Sequence, residues 1–299
     1  MKIGYFGDGF WAHLAIEKLS ADDRFEIAYI VPRYDKQDPV LRKWAKKLGV
    51  PFLPLKSVNS EASLSVLSEY KTELNISMSF NQILRRDILA LPPKGFINCH
   101  AGKLPYYRGR SILTWALIND EPKFGVTVHY IDEGIDTGDI ILQKTSLIED
   151  KDDYGTILQR AATICSELLF DAVCLIHSDN VIRKPQCDIH TVGFCCTQRG
   201  PGDELINWHT SSRKLFNFVR ALATPGPIAR SYLNQKEFYI EKVEEIQGAP
   251  HYLGIPGAVV AKQEGCPVVK TSDSTIKITK LKNGNLNEIK VGNRFGSQC

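Results

Sequence analysis

Several absences narrow what this chain can be. No apolar run reaches the roughly eighteen residues that a membrane helix needs, so no span is expected to cross a bilayer. The opening Met1-Lys2-Ile3-Gly4-Tyr5-Phe6-Gly7 goes directly into a strand-like pattern, with neither a signal-peptide core nor an A-x-A cleavage site, and a cytoplasmic protein is expected. Eight cysteines lie at 99, 165, 174, 187, 195, 196, 266 and 299, yet no C-x-x-C pair occurs. Free buried thiols are expected in place of a zinc site, and no metal is expected. Neither sign of charge dominates, since 37 basic and 34 acidic residues leave a net charge of +3. That balance gives no strong reason for a long polyanion as partner but leaves room for a nucleotide-sized anion. Gly4, Gly7 and Gly9 do not spell G-x-G-x-x-G and no acidic residue follows Val31 directly, so a dinucleotide fingerprint is weak and tight-turn glycines are the plainer reading.

What is present is an ordinary globular composition, 43% hydrophobic and 24% charged over 299 residues, long enough for one large domain or two with a buried core. Lys2 to Phe6 reads as a strand, Ala12 to Leu19 as a helix and Phe25 to Val31 as the next strand, a unit that implies a parallel sheet with a ligand site near the strand ends. Leu41, Trp44, Ala45 and Leu48 form an apolar helical stripe, with Arg42, Lys43, Lys46 and Lys47 on the other side. Those bases read as a solvated face, with a nucleic-acid patch as the alternative. Strands over Leu74 to Ser79, Phe96 to His100, Gly125 to Ile131 and Asp139 to Leu147 alternate with helices over Arg85 to Leu91, Gly109 to Asn119 and Tyr154 to Ser178.

The expected fold class is therefore α/β, a Rossmann-like mostly parallel sheet domain over residues 1–183, then a linker over 184–205 rich in Gly, Pro and polar residues. Residues 206–299 read as one helix followed by short strands with Gly and Asn turns, a smaller β-rich, OB-like domain.

In a strand, residues two apart share a face, so Asn98 and His100 project together while Cys99 points the other way. Gly102 and Pro105 follow at once, which opens that face towards a loop. A histidine exchanges protons near neutral pH, and an amide N–H can stabilise an oxyanion as a carbonyl carbon becomes tetrahedral. A buried histidine with satisfied hydrogen bonds is the plainer alternative for His100. A carboxylate to orient it would come from the glycine-bounded loop of Asp136, with Asp132, Glu133 and Asp139 as competitors. No G-x-S-x-G elbow is present and Cys99 faces away from His100, so acyl transfer without a covalent nucleophile fits better than covalent catalysis.

Asn98-x-His100, the run Gly102-Lys103-Leu104-Pro105-x-x-Arg108-Gly109, the strand Gly125-Val126-Thr127-Val128-His129 and Gly134-Ile135-Asp136-Thr137-Gly138-Asp139 closely resemble the formyltransferases that use 10-formyltetrahydrofolate. The resemblance is strong over about residues 70–145, and Trp208 to Pro227 resembles the start of the C-terminal domain of the members that act on tRNA and on sugars. By resemblance Asn98, His100 and Asp136 are catalytic, with protonated His100 helping Asn98 at the oxyanion. The folate is implied to lie against Phe80, Asn81, Gln82 and Ile83 and against the loop carrying Tyr130, Asp132 and Gly134.

Members of this family formylate glycinamide ribonucleotide, the methionine of charged initiator tRNA, or the amino group of a nucleotide-linked sugar. The length beyond the linker argues against the first. The tRNA enzymes typically carry a Gly/Arg/Lys-rich insertion after the second strand, whereas Val31-Pro32-Arg33-Tyr34-Asp35 passes quickly into a helix. The loop after His100 also departs from their Ser-Leu-Leu-Pro. A UDP- or dTDP-linked amino sugar destined for surface polysaccharide is the expected acceptor, held by Gly9, Phe10, Trp11, Lys103, Tyr106, Tyr107, Arg108 and Arg110. Core or turn packing is the alternative for the tyrosines. Methionyl-tRNA formyl transfer is the second expectation, and an RNA-binding protein without activity is a third from a different class. The resemblance also implies a possible homodimer through the C-terminal parts.

Overall fold

A computed structural model describes residues 1–296; Cys299 lies outside the described residues. The chain divides into two compact units. The first comprises Met1–Gly109, Phe124–Ser146 and Gln159–Cys196, and the second Arg110–Lys123, Leu147–Leu158 and the chain from Thr197 onward.

The first unit is built on a six-stranded sheet. Its strands are β1 (Lys2–Gly7), β2 (Glu26–Pro32), β3 (Leu74–Met78), β4 (Phe96–His100), β6 (Lys123–Tyr130) and β7 (Ile140–Leu147), in the order β2-β1-β3-β4-β6-β7, while β5 (Arg108–Gly109) and β8 (Cys195–Cys196) form a separate two-stranded ladder. β1 runs parallel to β2 and β3, and β3 parallel to β4, while β6 runs antiparallel to β4. Every residue of β3 is buried, as is nearly all of β1 and β2; β2 accordingly reads as a nearly continuous apolar run, whereas β3 buries Asn75 and Ser77 between its apolar residues. Phe6 on β1 gathers the rings of Tyr29, Phe80 and Phe96, with centroids 5.0 to 5.9 Å away, into one core layer.

Local chemistry sets the helix ends. α1 (Gly9–Ser20) follows β1 directly, and α2 (Pro39–Leu48) starts where the Asp38 carboxylate accepts the Val40 and Leu41 N–H groups, with Pro39 in the first turn. It ends at Gly49, whose φ of 69° suits a residue without Cβ. Among the early glycines only Gly9 serves a left-handed turn. Gly4 instead lies inside β1, where a side chain would run into Tyr29 and Asn75, so close packing and not turn geometry selects it.

A helix that the sequence reading passes over, α3 (Glu61–Ser68), is capped by the Ser60 hydroxyl, which accepts the Ser63 N–H; α4 (Arg86–Leu89), α5 (Ile112–Ile118) and α6 (Tyr154–His177) follow in the chain. The seven cysteines among the described residues are free, but they are not a buried set. Cys99 and Cys165 are buried, whereas Cys187 and Cys195 are exposed.

The second unit holds a five-stranded antiparallel sheet in the order β11-β12-β13-β10-β9, formed by β9 (Ala229–Leu233), β10 (Lys236–Glu245), β11 (Val259–Gln263), β12 (Cys266–Lys270) and β13 (Thr275–Leu281). A closing segment links its two edges, because Gly296 exchanges hydrogen bonds with Tyr232 on β9 while Phe295 and Asn293 bond Gly257 and Val259 at the start of β11. Closure removes edges that would otherwise pair with other chains. Phe295 stacks on Trp208 at 5.2 Å, and the buried indole N–H donates to the Ser231 hydroxyl. Helix α7 (Ser212–Leu222) lays Leu215, Val219 and Leu222 into the same core. The expectation of a mostly parallel α/β unit and a smaller β-rich one describes this architecture.

Candidate active site

β4 ends with Asn98 and His100 on one face, as the two-residue period requires, while the Cys99 thiol turns the other way to donate to the Cys165 carbonyl of α6 (Tyr154–His177). Antiparallel pairing with β6 sets Asn98 opposite His129 and His100 opposite Thr127. This register adds to the site a histidine to which the sequence reading gave no role. His129 is buried, and its Nε2 lies 3.3 Å from the Asn98 amide nitrogen. The other ring nitrogen donates to the Tyr130 carbonyl at 2.7 Å, which fixes the ring.

The loop between β6 and β7 brings Asp136 to this pair. Its Oδ2 lies 3.5 Å from His100 Nδ1, and its Oδ1 lies 3.5 Å from His129 Nε2. The Gly109 N–H donates to Oδ2 at 2.9 Å. Burial pushes the Asp136 carboxyl up, but the His129 ring, the nearby His100 and the Gly109 N–H outweigh it and hold the group at about 2. Asp132, a competitor in the sequence, is exposed and accepts from Gly134 N–H and the Thr137 hydroxyl within its own loop.

His100 donates Nε2–H to the Tyr107 carbonyl at 2.7 Å, leaving Nδ1 towards Asp136. Burial lowers its pKa, against the opposing pull of Asp136 and the Tyr107 carbonyl, so the neutral ring is favoured. Gly102 is required beneath it, since any Cβ there would collide with the Tyr107 carbonyl and the His100 ring. The strand-to-loop transition is braced from β6. The Thr127 hydroxyl donates to the Gly102 carbonyl at 2.6 Å, and Gln143 on β7 donates to Thr127 Oγ1 and the Leu104 carbonyl.

The remaining sequence candidates divide into engaged and exposed groups. Gln82 pins the 55–58 turn, accepting from Val58 N–H and donating to the Leu55 carbonyl, while Phe80 packs on Phe6. Asn81 reaches Asp35, and Ile83 stands out in solvent. Tyr130 lies under the Arg183 guanidinium. Gly9 N–H donates to Asp38, which also holds His13, while Phe10 is exposed and Trp11 half-buried.

Lys103 is exposed, and the Tyr106 and Tyr107 rings pack against Phe194. Arg108 is held by Gln186 and by the Val192 carbonyl. Arg110 belongs to the second unit, where it donates to Gln198. Gln186 itself, in a stretch that looked like mere connection, carries no motif that could have marked it.

Among the described residues, no cluster of three or more His, Cys, Asp or Glu side chains is arranged to hold a metal ion, and no helix is long and apolar enough to cross a membrane. A cavity of about 990 Å³ in the second unit, lined by residues such as Asn207, Trp208, Tyr232 and Arg294, contains none of the groups around Asp136. The chemistry lies with the convergent polar groups and not with that volume.

Comparison with known proteins agrees with this geometry. Residues 1–173 match the formyl transferase family model, and residues 200–295 match that of the formyl transferase C-terminal domain. The methionyl-tRNA formyltransferase of Thermodesulfovibrio yellowstonii is 34% identical over 243 residues, covering 81% of this chain and 76% of that protein. That of Desulforamulus reducens is 30% identical over 289 residues, covering 94% and 90%. Among solved structures, a sugar 3N-formyl transferase determined with dTDP and 5-N-formyl-THF aligns at a TM-score of 0.72 and 20% identity over 95% of this chain and 99% of its own. An N-formyltransferase from Helicobacter canadensis, in complex with folinic acid and dTDP-3-aminofucose, aligns at 0.69 and 19% identity over 93% and 98%. At these identities the structural likeness speaks for the fold.

Proposed function

The chain belongs to the formyl transferase family, and from that premise we propose that it moves the formyl group of 10-formyltetrahydrofolate to the primary amine of a UDP- or dTDP-linked amino sugar. The observation that carries the acceptor is the passage from β2 to α2. Residues 33–38 connect the two with no basic insertion, and they are tied down: Arg33 pairs with Asp35 and Asp8, and Asp38 caps α2 while holding Gly9 and His13. A tRNA-directed member of the family would be expected to project its insertion there. Of the two solved formyltransferases of matching fold, one was determined with dTDP and 5-N-formyl-THF and the other with dTDP-3-aminofucose and folinic acid, ligand pairs of the kind this reading calls for.

In the proposed reaction a neutral amine attacks the formyl carbon, forming the new C–N bond. The Asn98 carboxamide, held on one side by the His129 ring, donates N–H to the oxyanion. The neutral state that burial favours makes His100 the proton acceptor, in place of the protonated donor that family resemblance suggested. It takes the amine proton at Nδ1, and the imidazolium so formed is stabilised by Asp136. Breaking of the bond to the folate nitrogen then releases tetrahydrofolate, which receives that proton, and an N-formyl amide. The Phe80 to Ile83 segment and the Tyr130 to Gly134 loop would hold the folate, and Lys103, Tyr106 and the Gly9 to Trp11 turn the nucleotide sugar. A homodimer through the C-terminal parts belongs to the same reading.

Methionyl-tRNA as acceptor is the second reading, favoured by the sequence relatives at 28 to 34% identity. Equilibrium binding separates the two. The proposal expects UDP or dTDP to bind with a shallow salt dependence. Tight binding of charged initiator tRNA, weakening by roughly 10³-fold or more between 50 and 200 mM salt, would favour the second.

A further inference from the structure

Asp136 has a backbone φ of 54°, in the left-handed region that aspartate enters more readily than most residues with a side chain. The backbone there is held by Gln186, at the start of a short 3₁₀ turn (Gln186–Asp188) and only 4% exposed. Its Nε2 donates to the backbone carbonyl of Asp136 at 2.8 Å and to that of Gly138 at 2.8 Å. Its Oε1 accepts from Arg108 Nε at 3.1 Å and Nη2 at 2.7 Å.

Both amide hydrogens and both lone pairs of this side chain are thus in use. The Arg108 guanidinium is closed off by a further bond from Nη1 to the Val192 carbonyl. The next residue, Gly109, gives its N–H to the Asp136 carboxylate. Each arm of the amide therefore ends on the residue bearing the carboxylate, on the loop that follows it, or on the neighbour of the group that hydrogen-bonds it.

We infer that Gln186 is a positioning residue for formyl transfer: it clasps the backbone of Asp136 and Gly138 to Arg108 and so aims the Asp136 carboxylate at His100, His129 and the Gly109 N–H. This rests on the formyl-transfer reading of the site. Gln186 lies between the two stretches matched by the family models, so neither match assigns it. A glutamine suits the position because two carbonyls and one guanidinium must be served from one side chain, which demands donors and acceptors on adjacent atoms. The groups facing the carboxylate are His100 from β4, His129 from β6 and the Gly109 N–H. Without the clasp the carboxylate loses these partners while burial still disfavours its charge, which favours the protonated form.

The test is a ¹³C NMR titration of the Asp136 carboxyl, assigned with Asp136→Asn, in the wild type, Gln186→Met and Gln186→Glu. kcat and KM are measured alongside, with whichever acceptor the wild type formylates. Gln186→Met keeps the volume and removes every arm; Gln186→Glu keeps the acceptor for Arg108 but sets oxygen against two carbonyls. The titration midpoint is expected to rise by at least about one pH unit in both variants. kcat should fall at least about tenfold while the acceptor KM stays within about threefold. A folded Gln186→Met with an unmoved midpoint overturns the inference, whatever its kcat, and if that variant does not fold, Gln186→Glu decides by the same readouts. Should the wild type formylate no acceptor, the functional reading fails, while the midpoint still decides whether Gln186 positions Asp136.

Discussion

Asp136 keeps its charge inside the protein because two histidine rings and one backbone N–H favour the ionised form more than burial disfavours it. Its folded value of about 2 lies below that of a free aspartate near 3.9, so the stability it contributes is present above about pH 4. That contribution is lost as pH falls towards 2, and it amounts to about 2 kcal/mol on the usual conversion. Urea unfolding followed from pH 5 to pH 2 should show this loss in the wild type and not in Asp136→Asn. The same substitution and His100→Ala should each lower kcat by roughly 10² to 10⁴, the range for losing a proton-transfer group, here His100 itself or the carboxylate that stabilises its charged form, in a steady-state formyl-transfer assay. Because burial favours neutral His100, the acid limb it imposes should lie below the ordinary histidine value of about 6.5. At this scale Asn98 and His100 were legible from their spacing along a strand. His129 stood in a strand that carried the resemblance, but its role appears only through pairing with β4, and Gln186 reaches the site by a folding-back that leaves no local signature.

The end of β4 shows how an element constrains the chemistry. Asn98 and His100 share a face only while the strand continues to His100, and the chain must then turn sharply over Gly102. Gly102→Ala places a methyl group against the Tyr107 carbonyl and the His100 ring, so the loop or the histidine must move. The expected result is a loss of at least about tenfold in kcat, together with about 1 to 3 kcal/mol of destabilisation, read by kinetics and thermal unfolding. Elements with strong signals were readable in advance: α2 from its amphipathic stripe, and α7 as the one helix ahead of the short strands. α3 was not, since eight residues with three serines give little periodicity, and the pairing of β5 (Arg108–Gly109) with β8 (Cys195–Cys196) depends on residues far apart in sequence. That pairing keeps Gly109 in place beside Asp136, with the Cys196 carbonyl occupying the space a Cβ would need.

Across the whole molecule, the alternation of strands and helices in the first half and the run of short strands in the second sufficed to foretell a parallel α/β unit and a β-rich one. Strand direction at β6 was beyond reach, because alternation reports burial and not polarity of pairing. Nor could the sequence show that the last described residues close the second sheet by pairing at both of its edges. The near balance of 37 basic and 34 acidic residues fits a compact anionic acceptor better than an extended polyanion. The direct measurement is a formyl-transfer assay with 10-formyltetrahydrofolate against UDP-, dTDP- and GDP-linked amino sugars and charged initiator methionyl-tRNA, with the products read by mass spectrometry. An N-formylated UDP- or dTDP-linked sugar is the predicted result; formylated methionyl-tRNA as the sole product would contradict it.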